Sequence, residues 1–225
     1  AMQAFRRTLD DPDQQSLAHH LESLQPAVRQ LRARYRSSHV LVDYRRTASA
    51  YLLAYVPAYI RMAERVLVRV LKGAAIGPTL RVGIVGAGPA PEAVALVNYL
   101  RRAPRLCAHL EIHLFDVATG AWGPVRTALF DVGCRARWPG TIDVAHHDLD
   151  LARPSGVAVH RNVFASLDLI VVQNCLNEDI ARCFKLCLKT SPEILASLRE
   201  PPMRRWFALC RTRSWSKRRG PVDAT

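Results

Sequence analysis

A glycine-rich turn between a strand-like and a helix-like segment is the part of this 225-residue sequence best suited to bind a ligand. An apolar run ends at Val85, glycine stands at positions 86 and 88, and helix-forming residues follow Glu92. Gly86 permits a tight turn, and Gly88 has no Cβ, so a ligand can approach the backbone closely. This arrangement favours a bound nucleotide, although a tight turn without a ligand uses the same glycines.

A dinucleotide with a pyrophosphate is one candidate ligand for this turn. Its fingerprint, G-x-G-x-x-G, needs a third glycine for close packing of helix on strand and places the helix N-terminus at the pyrophosphate. The third position is Pro91 in this chain. The stretch also resembles the start of flavin enzymes, where it normally opens the chain. Binding of FAD or NAD is therefore the weaker alternative for this turn.

Polar residues follow the next three strand-like segments as well. Asp116 closes the second segment, Asp148 follows the third, and Asn174 follows the fourth. Taken in this order with the glycine turn, they resemble the Rossmann-like (class I) S-adenosylmethionine-dependent methyltransferase family. The resemblance covers about residues 45 to 180 and depends on order and spacing as much as on residue identity.

The resemblance implies S-adenosyl-L-methionine as the cofactor and methyl transfer as the activity. It places the glycine turn under the amino acid part of the cofactor, Asp116 at the ribose hydroxyls, and Asp148 with its neighbour at the adenine. Asn174 stands where amino-directed members keep an Asn or Asp, which makes it the candidate catalytic residue. The implied cofactor-binding residues are Gly86, Ala87, Gly88, Asp116, Val117, Asp148, Leu149 and Asn174.

The chain departs from that family in three places. The family's acidic residue two positions before the first glycine is Ile84 here, and Glu92 is the nearest acidic substitute. Ala90 stands where a third glycine is frequent. The residues after Glu178 cannot easily hold the family's three further strands, since only Trp206 to Cys210 is strand-like. Two alternatives follow: a binding or assembly module without activity, and a homodimer that completes the sheet.

Two further groups are candidate substrate contacts. Tyr51, Tyr55 and Tyr59 recur every four residues, so they share one helix face. Such a stripe is typical of a core, and Tyr51 and Tyr55 can also meet a substrate if the helix borders the pocket. Asn177 and Glu178 either face the substrate or cap the next helix. The helix before the glycine turn is faintly similar to ribosomal small-subunit methyltransferase-like proteins of bacteria and mitochondria.

Helical segments, followed by strands that alternate with helices, must position these residues. Apolar residues recur at helical spacing from Leu17 to Leu31 and from Tyr44 to Leu71, where Pro57 kinks or splits the helix. Strand-like and helical segments then alternate, which predicts βαβ units and a doubly wound, mostly parallel, Rossmann-like α/β sheet. An N-terminal helical extension and a short, atypical C-terminal end complete this fold. The predicted strands are 80–85, 110–115, 141–145, 167–173 and 206–210, and the helices among them are 92–100 and 122–132.

This pattern predicts three regions of the chain, which also differ in charge. They are a helical region (1–78), a Rossmann-like cofactor-binding domain (79–213) and a basic tail (214–225). The net charge of +13 divides into +6 over 1–80, +1 over 81–175 and +6 over 176–225. Basic ends beside a nearly neutral centre suit RNA or the ribosome as a partner. An arginine-rich composition without such a role, and a small-molecule substrate, are the alternatives.

Cysteine and histidine placement gives little indication of a metal. The six cysteines form no C-x-x-C pair, which indicates free thiols in a reducing compartment. His146 and His147 are adjacent on a strand, so their side chains point to opposite faces and do not share an ion. No apolar run reaches membrane-spanning length, and no secretory signal opens the sequence. We therefore expect a cytoplasmic protein with neither a metal nor a membrane partner.

Overall fold

The computed structural model describes residues 2–7, 14–34, 44–102, 107–150, 153–173 and 206–210. Asn174, Asn177, Glu178 and the basic tail lie outside the described residues. The helices are α1 (Met2–Arg6), α2 (Gln14–Ser23), α3 (Gln25–Arg34), α4 (Tyr44–Ala54), α5 (Val56–Val70), α6 (Pro91–Arg102), α7 (Gly123–Phe130), α8 (Pro154–Val159) and α9 (Arg161–Ser166). The strands are β1 (Thr79–Val85), β2 (His109–Asp116), β3 (Thr141–Asp148), β4 (Leu169–Gln173) and β5 (Trp206–Cys210).

These strands form a five-stranded, all-parallel sheet in the order β3-β2-β1-β4-β5. Val85 at the end of β1 is in register with Phe115 of β2 and Val172 of β4. The chain runs outward through β2 and β3 and then returns past β1 to form β4, so the strand order reverses beside β1. This is the predicted doubly wound, Rossmann-like α/β fold, and the prediction is confirmed. Completion of the sheet by a second chain stays a prediction.

One face of the sheet is covered by α6 and α7, with the N-terminal helices outside them. Alternate side chains of β1 and β2 point to this face, and Val82, Ile84, Ile112 and Leu114 are almost completely buried there. Helix α6 is buried along most of its length and packs against α5. Helices α1, α4 and α5 belong to the same hydrophobic cluster as the sheet. The division between residues 1–78 and 79–213 stays a prediction.

Aromatic side chains cover the other face of the sheet. Phe115 stacks on Phe164 of α9 with ring centroids 4.5 Å apart, and on His147 of β3 with centroids 4.6 Å apart. A Cβ on Gly83 would overlap the side chain of Leu167. Glycine at this position therefore allows Leu167, which follows α9, to pack directly on β1.

The helices differ from the sequence-based expectation in several places. Pro57 does split the predicted long helix: α4 ends at Ala54 and α5 begins at Val56, with the proline in its first turn. The helix predicted over 17–31 is divided into α2 and α3, which meet at Leu24. The helix predicted over 122–132 is a 3₁₀ turn (Thr119–Trp122), α7 and a π-helical turn (Asp131–Arg135). Within the described ranges, no helix is both long and apolar enough to cross a bilayer.

A chain of hydrogen bonds crosses the aromatic face. Glu111 Oε1 lies 3.0 Å from His113 Nε2, and His113 Nδ1 lies 3.0 Å from His147 Nε2. An ionised carboxylate only accepts, so His113 donates from Nε2 and can accept at Nδ1 from the Nε2–H of His147. Burial lowers the pKa of His147, and the neighbouring His113 and His160 lower it further. Burial beside Arg126 also lowers the pKa of His146.

We predict that His146 and His147 make a contribution to stability that is lost on mild acidification. Both histidines bind a proton more weakly in the folded state than in the unfolded chain, where the ordinary value is 6.5. As the pH falls below that value, the unfolded chain takes up protons first, so the free energy of unfolding decreases. His147→Phe keeps an aromatic ring against Phe115 and removes the contribution of this histidine. Between about pH 7 and about pH 5, the urea midpoint of the variant should therefore rise relative to that of the parent. The same pH dependence in both proteins would contradict the assignment.

Candidate functional site

In the turn after β1, every second residue from Gly86 to Ala90 has backbone angles in the left-handed region. The φ angles are +67° at Gly86, +51° at Gly88 and +62° at Ala90. Glycine adopts this region freely, whereas an alanine there costs roughly 1–2 kcal/mol. Ala90 is completely buried. The chain therefore keeps the left-handed geometry at the position where the resemblance expected a third glycine.

The amide groups of this turn are all engaged within the protein. Positions 89 and 91 are prolines and have no N–H. The N–H groups of the other four residues donate hydrogen bonds with N···O distances of 2.6–3.1 Å. Gly86 and Ala87 donate to the carbonyl of Phe115, Gly88 donates to Asp116 Oδ2, and Ala90 donates to the carbonyl of Ala87. Pyrophosphate binding at a helix N-terminus requires unpaired N–H groups. The described stretch from 86 to 91 offers none.

Asp116 links the end of β2 to the glycine turn. Its Oδ2 accepts from Gly88 N at 2.7 Å, and its Oδ1 accepts from Ala118 N at 2.7 Å. The side chain is buried, with 8% of the residue exposed. Each carboxylate oxygen has two lone pairs, so each can accept one further hydrogen bond from a ligand hydroxyl. Asp116 therefore positions the turn and retains acceptor capacity.

Arg126 holds the same turn from the opposite side. Its Nε and Nη2 donate to the carbonyl of Gly88 at 2.9 and 2.7 Å, and its Nη1 lies 2.9 Å from His146 Nδ1. Only 2% of the residue is exposed, and burial lowers the pKa of the guanidinium. The sequence analysis missed this residue. Its spacing could have indicated that it is buried, because Arg126 lies four residues after Trp122 and three before Leu129, on the buried face of α7.

Glu92 lies in the first turn of α6, immediately after the glycine turn. The residue is 5% exposed, and its Oε2 has no hydrogen-bond partner among the residues that the structure describes. Burial raises the pKa of this carboxyl to about 8, although its own backbone N–H lowers it, and the nearby charge of Asp116 raises it further. Ile84, at the family's acidic position, is instead part of the apolar core. Glu92 is thus a buried acidic group near the turn, and one of its oxygens is buried without a hydrogen bond from the described residues.

An aromatic wall connects the tyrosine stripe to the turn. A Cβ on Gly88 would lie 3.7 Å from the ring of Trp122, and Tyr51 meets the same ring edge-on with centroids 5.1 Å apart. Tyr51, Tyr55 and Tyr59 do share one helix face, with centroids 5.2–6.1 Å apart. Tyr51 is buried and Tyr55 is half-buried. The substrate role of Tyr51 and Tyr55 stays a prediction.

The remaining described candidates lie along the carboxyl edge of the sheet. Asp116 and Asp148 are directly in register across β2 and β3. Val117 is 70% exposed, whereas Leu149 is 4% exposed and its N–H bonds the carbonyl of Asp116. The carbonyl of Asp148 accepts from His160 Nε2 at 2.9 Å. The edge therefore brings the glycine turn and both aspartates together, with the Leu149 side chain directed into the core.

The two adjacent histidines point to opposite faces, as the strand alternation requires. His146 contacts Arg126 beside α7, and His147 stacks on Phe115 on the other face. In the described part of the chain, no group of three or more His, Cys, Asp or Glu side chains has an arrangement that could hold a metal ion.

Comparison with known proteins gives a distant structural likeness. No family model and no curated protein matches the chain. A crystal structure from Methanococcus maripaludis, described as a proposed S-adenosyl-L-methionine-dependent methyltransferase, aligns with a TM-score of 0.39 and 15% identity. The alignment covers 65% of this chain and 59% of that chain.

We predict that Glu92→Gln stabilises the protein at mildly alkaline pH. The folded-state pKa of about 8 exceeds the ordinary value of 4.5, so the folded protein retains a proton that the unfolded chain loses as the pH rises between them. The free energy of unfolding therefore decreases over that range. Glutamine resembles the protonated carboxyl and removes this decrease. The decrease is measured from the urea midpoints of the variant and the parent at about pH 5 and about pH 8.

The exposed Glu22 of α2 supplies the matched control. Glu22→Gln should change the urea midpoint little at either pH, because substitutions of exposed side chains usually alter stability by less than about 0.5 kcal/mol. A Glu92→Gln variant that is less stable than the parent at about pH 8 would show that the buried carboxyl is ionised in the folded protein.

Proposed function

We propose that this chain is a class I S-adenosyl-L-methionine-dependent methyltransferase. The observation that carries the proposal is the chemistry of the glycine turn. The turn has no unpaired N–H for a pyrophosphate, and two buried carboxyl groups, Asp116 and Glu92, lie beside it. These features favour a nucleoside that carries positive charge and no phosphate. S-adenosyl-L-methionine has this chemistry, whereas FAD and NAD carry a pyrophosphate.

The residues present fit the separate parts of this cofactor. The unpartnered Glu92 Oε2 suits the ammonium group, and the open lone pairs of Asp116 suit the ribose hydroxyls. Gly88 leaves space over the ring of Trp122. When bound, the cofactor supplies a methyl group already activated by its sulfonium, so the protein's task is to orient donor and acceptor. We assign Val117, Asp148 and Leu149 to the adenine end.

The acceptor side of the proposal depends on residues outside the described ranges. Asn174 is the proposed catalytic residue, as a polar acceptor that orients the nucleophile after β4. Asn177 and Glu178 are proposed substrate contacts, together with the half-buried Tyr55 and its neighbour Tyr51. Each assignment follows from the family resemblance and from the position of these residues after β4 or near the turn.

RNA is the methyl acceptor that we propose, with a small molecule as the alternative. Arg61, Arg65 and Arg69 of α5 are four residues apart and all exposed. They form a basic row roughly 12 Å long on one face of the helix. Such a row suits a phosphate backbone and adds to the basic ends of the chain. The loose similarity to ribosomal small-subunit methyltransferase-like proteins agrees with this assignment.

We predict saturable binding of S-adenosyl-L-methionine and its demethylated product in calorimetry. Gly88→Val should abolish it, because a branched side chain would occupy the space over the turn and strain a residue with φ of +51°. Gly120→Val is the matched control, since a Cβ there meets nothing within 4 Å. The proposal fails if millimolar cofactor gives neither heat nor a thermal shift, or if FAD or NAD binds tightly instead.

Methyl transfer itself is tested with tritiated cofactor and cellular RNA, protein and metabolite fractions. We predict label in the RNA fraction and none with Gly88→Val. A triple variant in which Arg61, Arg65 and Arg69 are all changed to Gln should bind RNA more weakly. The affinity of this variant should also depend less on salt between about 50 and about 300 mM. Label only in metabolites would support a small-molecule substrate. Cofactor binding without label in any fraction would support the binding or assembly module.

A further inference from the structure

A cavity of about 320 Å³ lies between α7, the π-helical turn and β3. Arg126 and Thr127 of α7, Arg135 of the π-helical turn and His146 of β3 contribute polar groups to its wall. Phe130 and Val144 contribute apolar surface. The glycine turn lies beyond Arg126, whose Nε and Nη2 point to Gly88. The cavity is therefore a second concave site, separate from the one proposed for the cofactor.

Positive charge dominates the wall of this cavity. Two guanidinium groups line it, that of Arg135 being paired with Asp131 at 2.9 Å, and no carboxylate is among its described lining residues. Arg126 is nine-tenths buried or more, and among the residues that the structure describes it makes no ion pair. The nearby charge of Asp116 favours the charged form of Arg126, but its oxygens bond the N–H groups of Gly88 and Ala118 rather than the guanidinium. An anion in the cavity would give this buried cation a direct ion pair.

The hydrogen-bonding groups on the wall are donors. The Arg126 guanidinium has only donors, and its Nη1–H donates to His146 Nδ1 at 2.9 Å. Because that nitrogen accepts, the neutral His146 ring carries its own proton on Nε2, which is a further donor. Arg135 donates one bond to Asp131, at 2.9 Å, and lies over the Phe130 ring with its guanidinium carbon 6.0 Å from the centroid. Its other N–H groups are available at the cavity mouth.

The size of the cavity indicates more than a bare inorganic ion. Its volume of about 320 Å³ equals roughly ten water molecules at about 30 Å³ each. Phe130 and Val144 offer an apolar contact for the remainder of the ligand. We propose that this cavity binds a small organic phosphate ester, with its phosphate between Arg126 and Arg135 and its apolar body against Phe130.

Phenyl phosphate is the probe that tests this proposal, with phenol as the uncharged comparison. We expect saturable calorimetric binding of phenyl phosphate to the full chain, and no binding of phenol at the same concentration. Arg135→Gln should weaken phenyl phosphate binding about tenfold, since it removes one charge-assisted contact. Arg135 is exposed at the cavity mouth, so the variant retains the fold.

Two further variants locate the site. Arg137→Gln changes an exposed arginine that lies two residues after Arg135 and does not line the cavity. The affinity of this variant for phenyl phosphate should equal that of the parent. Thr127→Glu places a carboxylate on the wall and should abolish binding. The proposal is overturned if phenyl phosphate does not bind, if phenol binds equally well, or if Arg137→Gln weakens binding as much as Arg135→Gln. None of these outcomes depends on cofactor binding at the glycine turn.

Discussion

The peptide unit of Gly88 is held from both sides by buried charged groups, and the arrangement of the site depends on this interaction. Asp116 accepts from its N–H, and Arg126 donates twice to its carbonyl. Hydrogen bonds with one ionised partner are about twice as strong as neutral ones. Three segments, the β1 turn, the end of β2 and α7, are thereby fixed to a single residue. The left-handed turn is ordered before any ligand arrives, which reduces the entropy cost of binding.

Two nearby carboxyl groups differ in their hydrogen bonding. Asp116 accepts two backbone N–H groups, whereas one oxygen of Glu92 has no partner among the described residues. Burial therefore dominates at Glu92 and raises its pKa to about 8, so that it holds a proton at neutral pH. A cationic ligand group at this position would displace the proton and satisfy the oxygen. An anionic group would find no free N–H in the stretch from 86 to 91.

Much of this arrangement is local in the sequence, and that part could be predicted. Buried strands appear as short apolar runs, and the turn residues Gly86 and Gly88 reveal their backbone requirement directly. The opposite directions of His146 and His147 follow from strand alternation. The hydrogen bonds of Arg126 could not be predicted, because they join α7 to a turn 38 residues earlier in the chain. The π-helical turn is similar, since Gly133 approaches Val94 of α6, where a Cβ would lie 2.7 Å from a methyl group.

Arg126 also joins the two sites physically. Its Nε and Nη2 hold Gly88, while its Nη1 holds His146 on the cavity wall. A phosphate ester in the proposed cavity site would meet the Nη1 side of the guanidinium and leave the two bonds to Gly88 in place. The clamp on the turn is therefore compatible with both proposed ligands. If Arg126 couples the two ligands energetically, the effect of each on the affinity of the other is the same in both directions by thermodynamic necessity.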